Sequence, residues 1–373
     1  MDAQNPAARR FPLVARWRPP CLPLPRRVGA LAELAETAVA QEDPALASAV
    51  YNQAALLASD LGLPALARRL CRRHAAAYLH ACPLAGAVAV RALEPVVNLA
   101  RLRVRAGHGD DARRRLTALH DAVTTGTSAA FDGVTIPAGL ARSRQDRHHV
   151  GSWLWRVLLA DGTRTLTTAC RWAEARAYIE THRGIGERML DGRQVAVIAA
   201  LAAHDTATAT ELLATTRAGE PWEQTVTACL SALCRRARGD NVHRLLTGLL
   251  DACEAEHVPP GLTVFAIRIR LTVLDIARET DHSARRRIVD ELYKRTEAAT
   301  DGYAARECLQ HTAFMDLATD HQKTRCADLV SACALGSRRI RKEWSNALAD
   351  AVSASDKVIQ NDMRGTPKRK SKA

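Results

Sequence analysis

Most of the chain shows the spacing of amphipathic helices, in which apolar residues recur every three or four positions. The clearest stretch is an apolar run from Asn98 to Gly107, followed by a polar turn at His108–Ala112 and a second run from Arg113 to Leu119. Asp43-Pro44 marks another helix start, because aspartate caps a helix N-terminus and proline suits the first helical position. The pattern therefore predicts an all-α protein built from antiparallel helix pairs.

Two segments interrupt this pattern. Phe265 to Leu274 alternates apolar and polar side chains with the period of a β-strand. A single strand needs a partner, and helical patterns lie on both sides of this segment, so we expect a helix there. The run from Phe131 to Pro137 lies in an insertion between helical regions and is expected to form a short hairpin or lid.

Composition agrees with an all-α fold. Alanine, the strongest helix former, is abundant, whereas the aromatic residues that favour strands make up only 4% of the chain. Arginine greatly outnumbers lysine, and every lysine lies at Lys294 or later. With so much alanine, this bias is typical of a high-GC bacterial genome, and we expect an actinobacterial source.

The net charge of +13 is concentrated at the two ends of the chain. Residues 1–27 carry a net charge of +5, and residues 364–373 carry another +5. The remaining body is close to neutral. We therefore expect only weak, nonspecific contact with polyanions through the two ends, since such attraction encodes no sequence recognition.

The helix pairs 44–61/64–81 and 84–107/110–125 repeat with an offset of about 45 residues. Tyr51-Asn52-Gln53-Ala54 corresponds to Val97-Asn98-Leu99-Ala100, and the second helices share an Ala/Arg/Leu pattern. With its small residues and Gly-containing turns, this region resembles the tetratricopeptide-repeat (TPR) superfamily, although Leu or Ala replaces most of the aromatic residues of that consensus. The resemblance implies a TPR-like antiparallel helix-pair solenoid that binds a protein or peptide.

The resemblance also implies a role for three polar residues. In TPR domains, Asn and Lys/Arg side chains on the inner helices hold the backbone or the carboxylate of an extended peptide. Asn52, Asn98 and Arg101 occupy the matching stretches here. An amide side chain can both donate to and accept from a peptide bond, which suits this role. The structural alternative is that these side chains hydrogen-bond a neighbouring helix.

These patterns predict five regions. They are a flexible Pro/Arg-rich segment (1–27), N-terminal helical repeats (28–125), an inserted loop or short hairpin (126–148), C-terminal helical repeats (149–360) and a basic disordered tail (361–373).

No motif predicts catalysis, a cofactor or a metal. The ten cysteines include no Cys-x-x-Cys pair, and we expect buried, reduced thiols. Arg183-Gly184-Ile185-Gly186 follows a helical pattern and not a strand, so it is interpreted as a helix–helix turn. Several combinations are incomplete as metal sites: His120-Asp121, His204-Asp205, Glu254 with His257, and the group His311, His321, Cys326 and Cys333.

The sequence thus predicts a non-catalytic scaffold or adaptor that binds a protein or peptide. The alternatives are an accessory protein or enzyme of specialised metabolism, with a site between the helical halves near Trp153, Trp155 and Arg183, or a regulator assisted by its basic tails. No apolar run is long enough to span a membrane, and we expect a cytoplasmic protein. The oligomeric state stays open.

Overall fold

The computed structural model describes residues 1–2, 4–255, 258–277 and 282–365. The model is 73% helical, which confirms the predicted all-α class. The chain divides into two units: unit 1 joins Met1–Pro23 to Thr163–Cys333, and unit 2 joins Leu24–Gly162 to the segment that begins at Ala334. These boundaries differ from the predicted ones, because each unit combines distant parts of the chain.

Unit 2 contains six consecutive helices, a hairpin and the last helix of the described chain. Asp43 starts one helix as predicted, since its carboxylate accepts a hydrogen bond from the Ala45 N–H at 2.7 Å. The elements are α1 (Leu24–Ala40), α2 (Pro44–Asp60), α3 (Pro64–Leu79), α4 (Gly86–Arg105), α5 (Gly109–Thr125), β1 (Ala129–Phe131), β2 (Val134–Ile136), α6 (Arg144–Val157), a π-helical turn (Leu158–Gly162) and α18 (Lys342–Gly365).

The hairpin in unit 2 agrees with the sequence pattern. Strands β1 and β2 pair antiparallel, with Phe131 opposite Val134 and Ala129 opposite Ile136. Phe131, Val134 and Ile136 are buried in the unit 2 core. The predicted insertion therefore forms a two-stranded hairpin whose apolar side chains cover the helices.

The core of unit 2 is rich in alanine, which lets its helices approach closely. Helix α18 packs against α1, α2 and α3, so the C-terminal part of the unit closes over its first helices. On α2, the buried Tyr51 hydroxyl donates to Asp356 of α18 at 2.7 Å, and Arg73 of α3 pairs with the same carboxylate at 3.0 Å. Apolar burial and a few polar contacts thus hold the four helices together.

Unit 1 is also helical. Helix α13 confirms the helix predicted over 265–274, and nearly all of its side chains are buried, so its apolar residues need not follow one stripe. The elements are a 3-10 turn (Ala8–Arg10), α7 (Thr163–Thr167), α8 (Trp172–Thr181), α9 (Asp191–Ala202), α10 (Thr206–Ala214), α11 (Pro221–Ala237), α12 (His243–Ala255), a 3-10 turn (Pro260–Leu262), α13 (Thr263–Ile276), α14 (His282–Ala299), α15 (Gly302–Leu309), α16 (Thr312–Leu317) and α17 (Asp320–Ala332).

The N-terminal segment differs from the predicted flexible arm over 1–27. Phe11, Leu13 and Cys21 are only 1%, 2% and 0% exposed within unit 1. Residues 24–27 already belong to α1 of unit 2. Local composition indicated a loose arm because it is rich in proline and arginine, whereas burial against distant helices holds the segment in place.

The C-terminal boundary also differs. Residues 361–365 complete α18, although they were predicted to begin the disordered tail. Residues 366–373, which carry most of the predicted basic tail, lie outside the described residues. All ten cysteines are free thiols; eight are buried, and Cys82 and Cys170 are partly exposed. Within the described ranges, the structure contains no helix that is long and apolar enough to cross a membrane.

Candidate functional site

The three predicted peptide-binding residues lie in one hydrogen-bonded row in unit 2. The Asn52 amide donates to the Glu94 carboxylate at 2.8 Å, and the Asn98 amide donates to the Asn52 carbonyl oxygen at 3.0 Å. Arg101 in turn donates to Asn98 at 3.0 Å and forms an ion pair with Asp161 at 2.8 Å. The structure therefore brings together the residues that the repeat pattern singled out.

This row joins α2, α4 and the π-helical turn. Burial raises the pKa of Glu94, and the Asn52 hydrogen bond and nearby arginines offset only part of that rise. The side-chain amides of Asn52 and Asn98 already hydrogen-bond each other, and Asn52 also bonds Glu94. A bound peptide would have to displace these contacts. The arrangement is what the structural alternative predicts, and peptide binding by this row stays a prediction.

A cleft of about 650 Å³ opens between α5 and α6 of unit 2. Helix α6 contributes residues spaced by three or four positions, so they form a single stripe along its exposed face. From α5 come residues near its C-terminal end. The lining consists of His120, Thr124, Arg144, Arg147, His148, Gly151, Ser152, Trp155 and Arg156.

Local sequence explains where α6 begins and how close it lies to α5. Ser143 is the N-cap residue, and its hydroxyl accepts a hydrogen bond from the Asp146 N–H at 3.1 Å. The Asp146 carboxylate accepts a second bond, from the Gly86 N–H at the start of α4, at 2.7 Å. Gly151 forms part of the cleft floor, where an added Cβ would lie 3.0 Å from the Thr124 methyl group.

The cleft is strongly basic. Arg144, Arg147 and Arg156 form no ion pair with any carboxylate of the described chain, and no acidic residue lines the cleft. The Arg147 guanidinium lies over Gly126, at the C-terminal end of α5. Trp155 is 37% exposed and adds an apolar ring beside the arginines. Because guanidinium groups form strong charge-assisted hydrogen bonds with carboxylates and phosphates, the cleft can bind an anionic ligand.

The other two residues that were predicted to share a site with Trp155 do not line this cleft. Trp153 is partly buried and packs against the unit 2 core, so it does not line the cleft. Arg183 belongs to unit 1, where it is exposed in the turn after α8 with a left-handed φ of 51°. The stretch from Arg183 to Gly186 forms a helix–helix connection, as its sequence indicated.

Unit 1 has a smaller cavity, of about 330 Å³, in which the buried Asp275 carboxylate is paired. Asp275 lies 2.5 Å from Arg10 and 3.3 Å from His311. Burial opposes ionisation of Asp275, yet His311 and Arg10 together hold its pKa below the usual value. This cavity therefore offers less unpaired charge to a ligand than the α5–α6 cleft.

Among the residues that the structure describes, no three His, Cys, Asp or Glu side chains are placed to hold a metal ion. His257 of the Glu254/His257 pair lies outside the described residues.

The basic stripe of α6 was missed in the sequence. Its signal is present as Arg144, Arg147, His148 and Trp155, since positions three, four and eleven residues after Arg144 share one helix face, with Arg156 at the edge of that face. The net charge of long segments did not reveal this stripe, because acidic residues elsewhere in unit 2 balance these arginines. Only the spatial arrangement shows that these arginines form no ion pair within the part of the chain that the structure describes.

Comparison of the chain with protein-family models, with curated proteins and with solved structures found no match.

Proposed function

We propose that the protein is a non-catalytic adaptor that binds an acidic segment of a partner protein in the α5–α6 cleft. One observation carries the proposal: three arginines that form no ion pair with the described carboxylates line the α5–α6 cleft beside the exposed ring of Trp155. Unpaired guanidinium groups together with an aromatic ring favour a ligand with both anionic and apolar side chains.

The dimensions of the stripe suit a short extended peptide. Arg144 and Arg156 lie twelve residues apart on α6, which corresponds to about 18 Å along the helix axis. An extended chain advances about 3.3 Å per residue, so roughly five residues would span this distance. A single-stranded nucleic acid is less favoured, because its binders usually provide several aromatic rings for stacking, and this lining contains only Trp155.

The repeat pattern supports the same class of protein. Helices α2/α3 and α4/α5 are successive antiparallel pairs, and their connecting turns contain Gly62 and Gly107 at φ +75° and +85°. These positions differ by the same offset as the sequence repeat. We therefore propose a TPR-like helix-pair arrangement for this part of unit 2, working in the cytoplasm.

A fluorescence-polarisation titration tests the proposal. The probe is a fluorescein-labelled hexapeptide of four Glu and two Leu, measured at about 150 mM salt, where weak surface attraction is largely screened. We expect the double variant R144A/R156A to raise the Kd of the probe at least tenfold, which corresponds to about 1.4 kcal/mol. Trp155→Ala should raise it as well, through loss of apolar contact.

The matched control is the double variant R69A/R114A, because it also removes two charges and both arginines are exposed in unit 2, on α3 and α5, outside the cleft lining. An equal loss of affinity in R69A/R114A would show that only the net charge matters, and would overturn the proposal. A polythymidine oligonucleotide that binds more tightly than the peptide, and loses affinity in R144A/R156A, would assign the cleft to nucleic acid instead.

A further inference from the structure

The N-terminal segment of the chain crosses unit 1 in an extended conformation. Residues 11–23 contain no helix and lie between the 3-10 turn at Ala8–Arg10 and the start of α1. Along this path the segment contacts three distant parts of unit 1: the start of α9, the turn at Gly261 and the start of α15. An extended segment that lies across helices has the geometry of a bound peptide.

One buried amide side chain bonds both backbone groups of Leu13. The Leu13 N–H donates to Gln194 Oε1 at 2.7 Å, and Gln194 Nε2 donates to the Leu13 carbonyl oxygen at 2.8 Å. Gln194 is 0% exposed, and its Nε2 also donates to the Met189 carbonyl oxygen at 3.0 Å. Because these bonds involve backbone groups, they hold an extended chain at this position whatever its side chain.

A second contact holds the backbone of Cys21. Its N–H donates to the Asp301 carboxylate at 3.0 Å, and its carbonyl oxygen accepts from the Gly302 N–H at 2.8 Å. The Cys333 thiol also donates to the Cys21 carbonyl oxygen, at 2.9 Å. Asp301 is 1% exposed, so this contact is built into the interior of unit 1.

Side chains of the N-terminal segment also contact unit 1, and their positions define a sequence pattern. Phe11 and Leu13 are buried in the same apolar cluster as α9 and α13. Three residues after Leu13, Arg16 forms an ion pair with Asp191 of α9 at 2.7 Å. The Arg18 guanidinium lies 3.9 Å from the centre of the Tyr303 ring, within range of a cation–π contact. Trp17 contributes less, because it remains 71% exposed.

We propose that unit 1 contains a receptor groove for an extended peptide, and that residues 11–21 occupy this groove as an intramolecular ligand. The ligand class is a segment with two apolar residues separated by one position and an arginine three residues after the second. A covalently linked segment has an effective concentration on the order of millimolar, so it excludes weaker partners until it is displaced. This groove lies in unit 1 and is independent of the α5–α6 cleft.

The experiment removes the covalent link while leaving the groove unchanged. A site-specific protease sequence is inserted between Pro23 and Leu24, where the segment leaves unit 1, and the purified full chain is then cut. A fluorescein-labelled synthetic peptide of residues 1–23 is added, and its exchange into the protein is followed by polarisation and gel filtration. We expect saturable exchange with the circular dichroism of the protein unchanged.

Variants of the peptide, rather than of the protein, test the contacts, so the fold of the receptor is not perturbed. Leu13→Asp should weaken binding at least a hundredfold, because it would bury a carboxylate in an apolar cluster. Val14→Asp is the matched control and should bind within a few-fold of the parent, since Val14 is partly exposed. N-methylation of Leu13 removes the N–H that Gln194 accepts and should cost at least tenfold more than N-methylation of Val14.

Three results would overturn the proposal. The first is that the labelled peptide does not exchange within a day, which would show that the segment is a permanent part of the fold. The second is that the protein loses helix content or aggregates after cleavage, which would show the same. The third is that the Leu13→Asp and Val14→Asp peptides bind equally well, which would show that the groove does not recognise the proposed pattern.

Discussion

His74 of α3 provides a direct test of how unit 2 responds to pH. His74 is 1% exposed, and its ring stacks almost parallel on Tyr51, with ring centres 4.8 Å apart, while the Tyr78 ring is tilted against it with a centre distance of 5.8 Å. Its Nε2 has no hydrogen-bond partner among the described residues. Burial lowers the pKa of His74 from 6.5 to about 3, because the charged ring cannot be hydrated there.

The sign of the pH effect follows from this lowered pKa. Between pH 6.5 and pH 3, the unfolded chain binds a proton at His74 that the folded chain does not. The free energy of unfolding therefore decreases as the pH falls through this range. At about 1.4 kcal/mol per pH unit, and allowing for partial protonation near pH 6.5, the loss between about pH 7.5 and pH 4.5 is about 2.6 kcal/mol.

Urea unfolding of the parent and of His74→Phe at both pH values measures this loss. Phenylalanine keeps an aromatic ring against Tyr51 but cannot be protonated, so we expect H74F to lose about 2.6 kcal/mol less than the parent on acidification. All other titrating groups act in both proteins and cancel in the difference. The control is His108→Phe, an exposed position before α5, which should follow the parent. Equal acid sensitivity of H74F and the parent would refute the assignment of a neutral, buried His74.

Three other substitutions test separate parts of the structure. Asn98→Ala should lower the free energy of unfolding by about 1 kcal/mol, because it removes the hydrogen bonds of Asn98 to Asn52 and Arg101; an unchanged urea midpoint would contradict a structural role for the row. Gly192→Ala should destabilise unit 1 by about 1–3 kcal/mol in a thermal melt, because its Cβ would lie 2.1 Å from the Gly184 carbonyl oxygen, whereas Gly186→Ala, which faces open space, should have little effect. Asp43→Ala removes the cap of α2 and should cost about 1 kcal/mol by urea unfolding, and Asp43→Asn should restore most of it.

Local features of the chain were sufficient to predict most of the secondary structure. The Asp43-Pro44 start of α2, the helix pair around Gly107 and the hairpin at 131–136 depend on capping, turn chemistry and side-chain alternation between near neighbours. Helix α13 was harder, because its apolar residues follow no helical stripe. Its helical neighbours in the sequence still favoured the correct assignment.

The sequence by itself therefore determined the helical class, and its repeat pattern singled out Asn52, Asn98 and Arg101 as one group. Only the tertiary structure decided that these three side chains form one hydrogen-bonded row and that the α6 arginines form no ion pair with the carboxylates that the structure describes. It also decided that the Pro/Arg-rich N-terminal segment is buried along helices that lie more than 150 residues further along the chain. The physical reason is that helix formation depends on neighbours a few residues apart, whereas burial and the pairing of charges depend on groups that only the folded chain brings into contact.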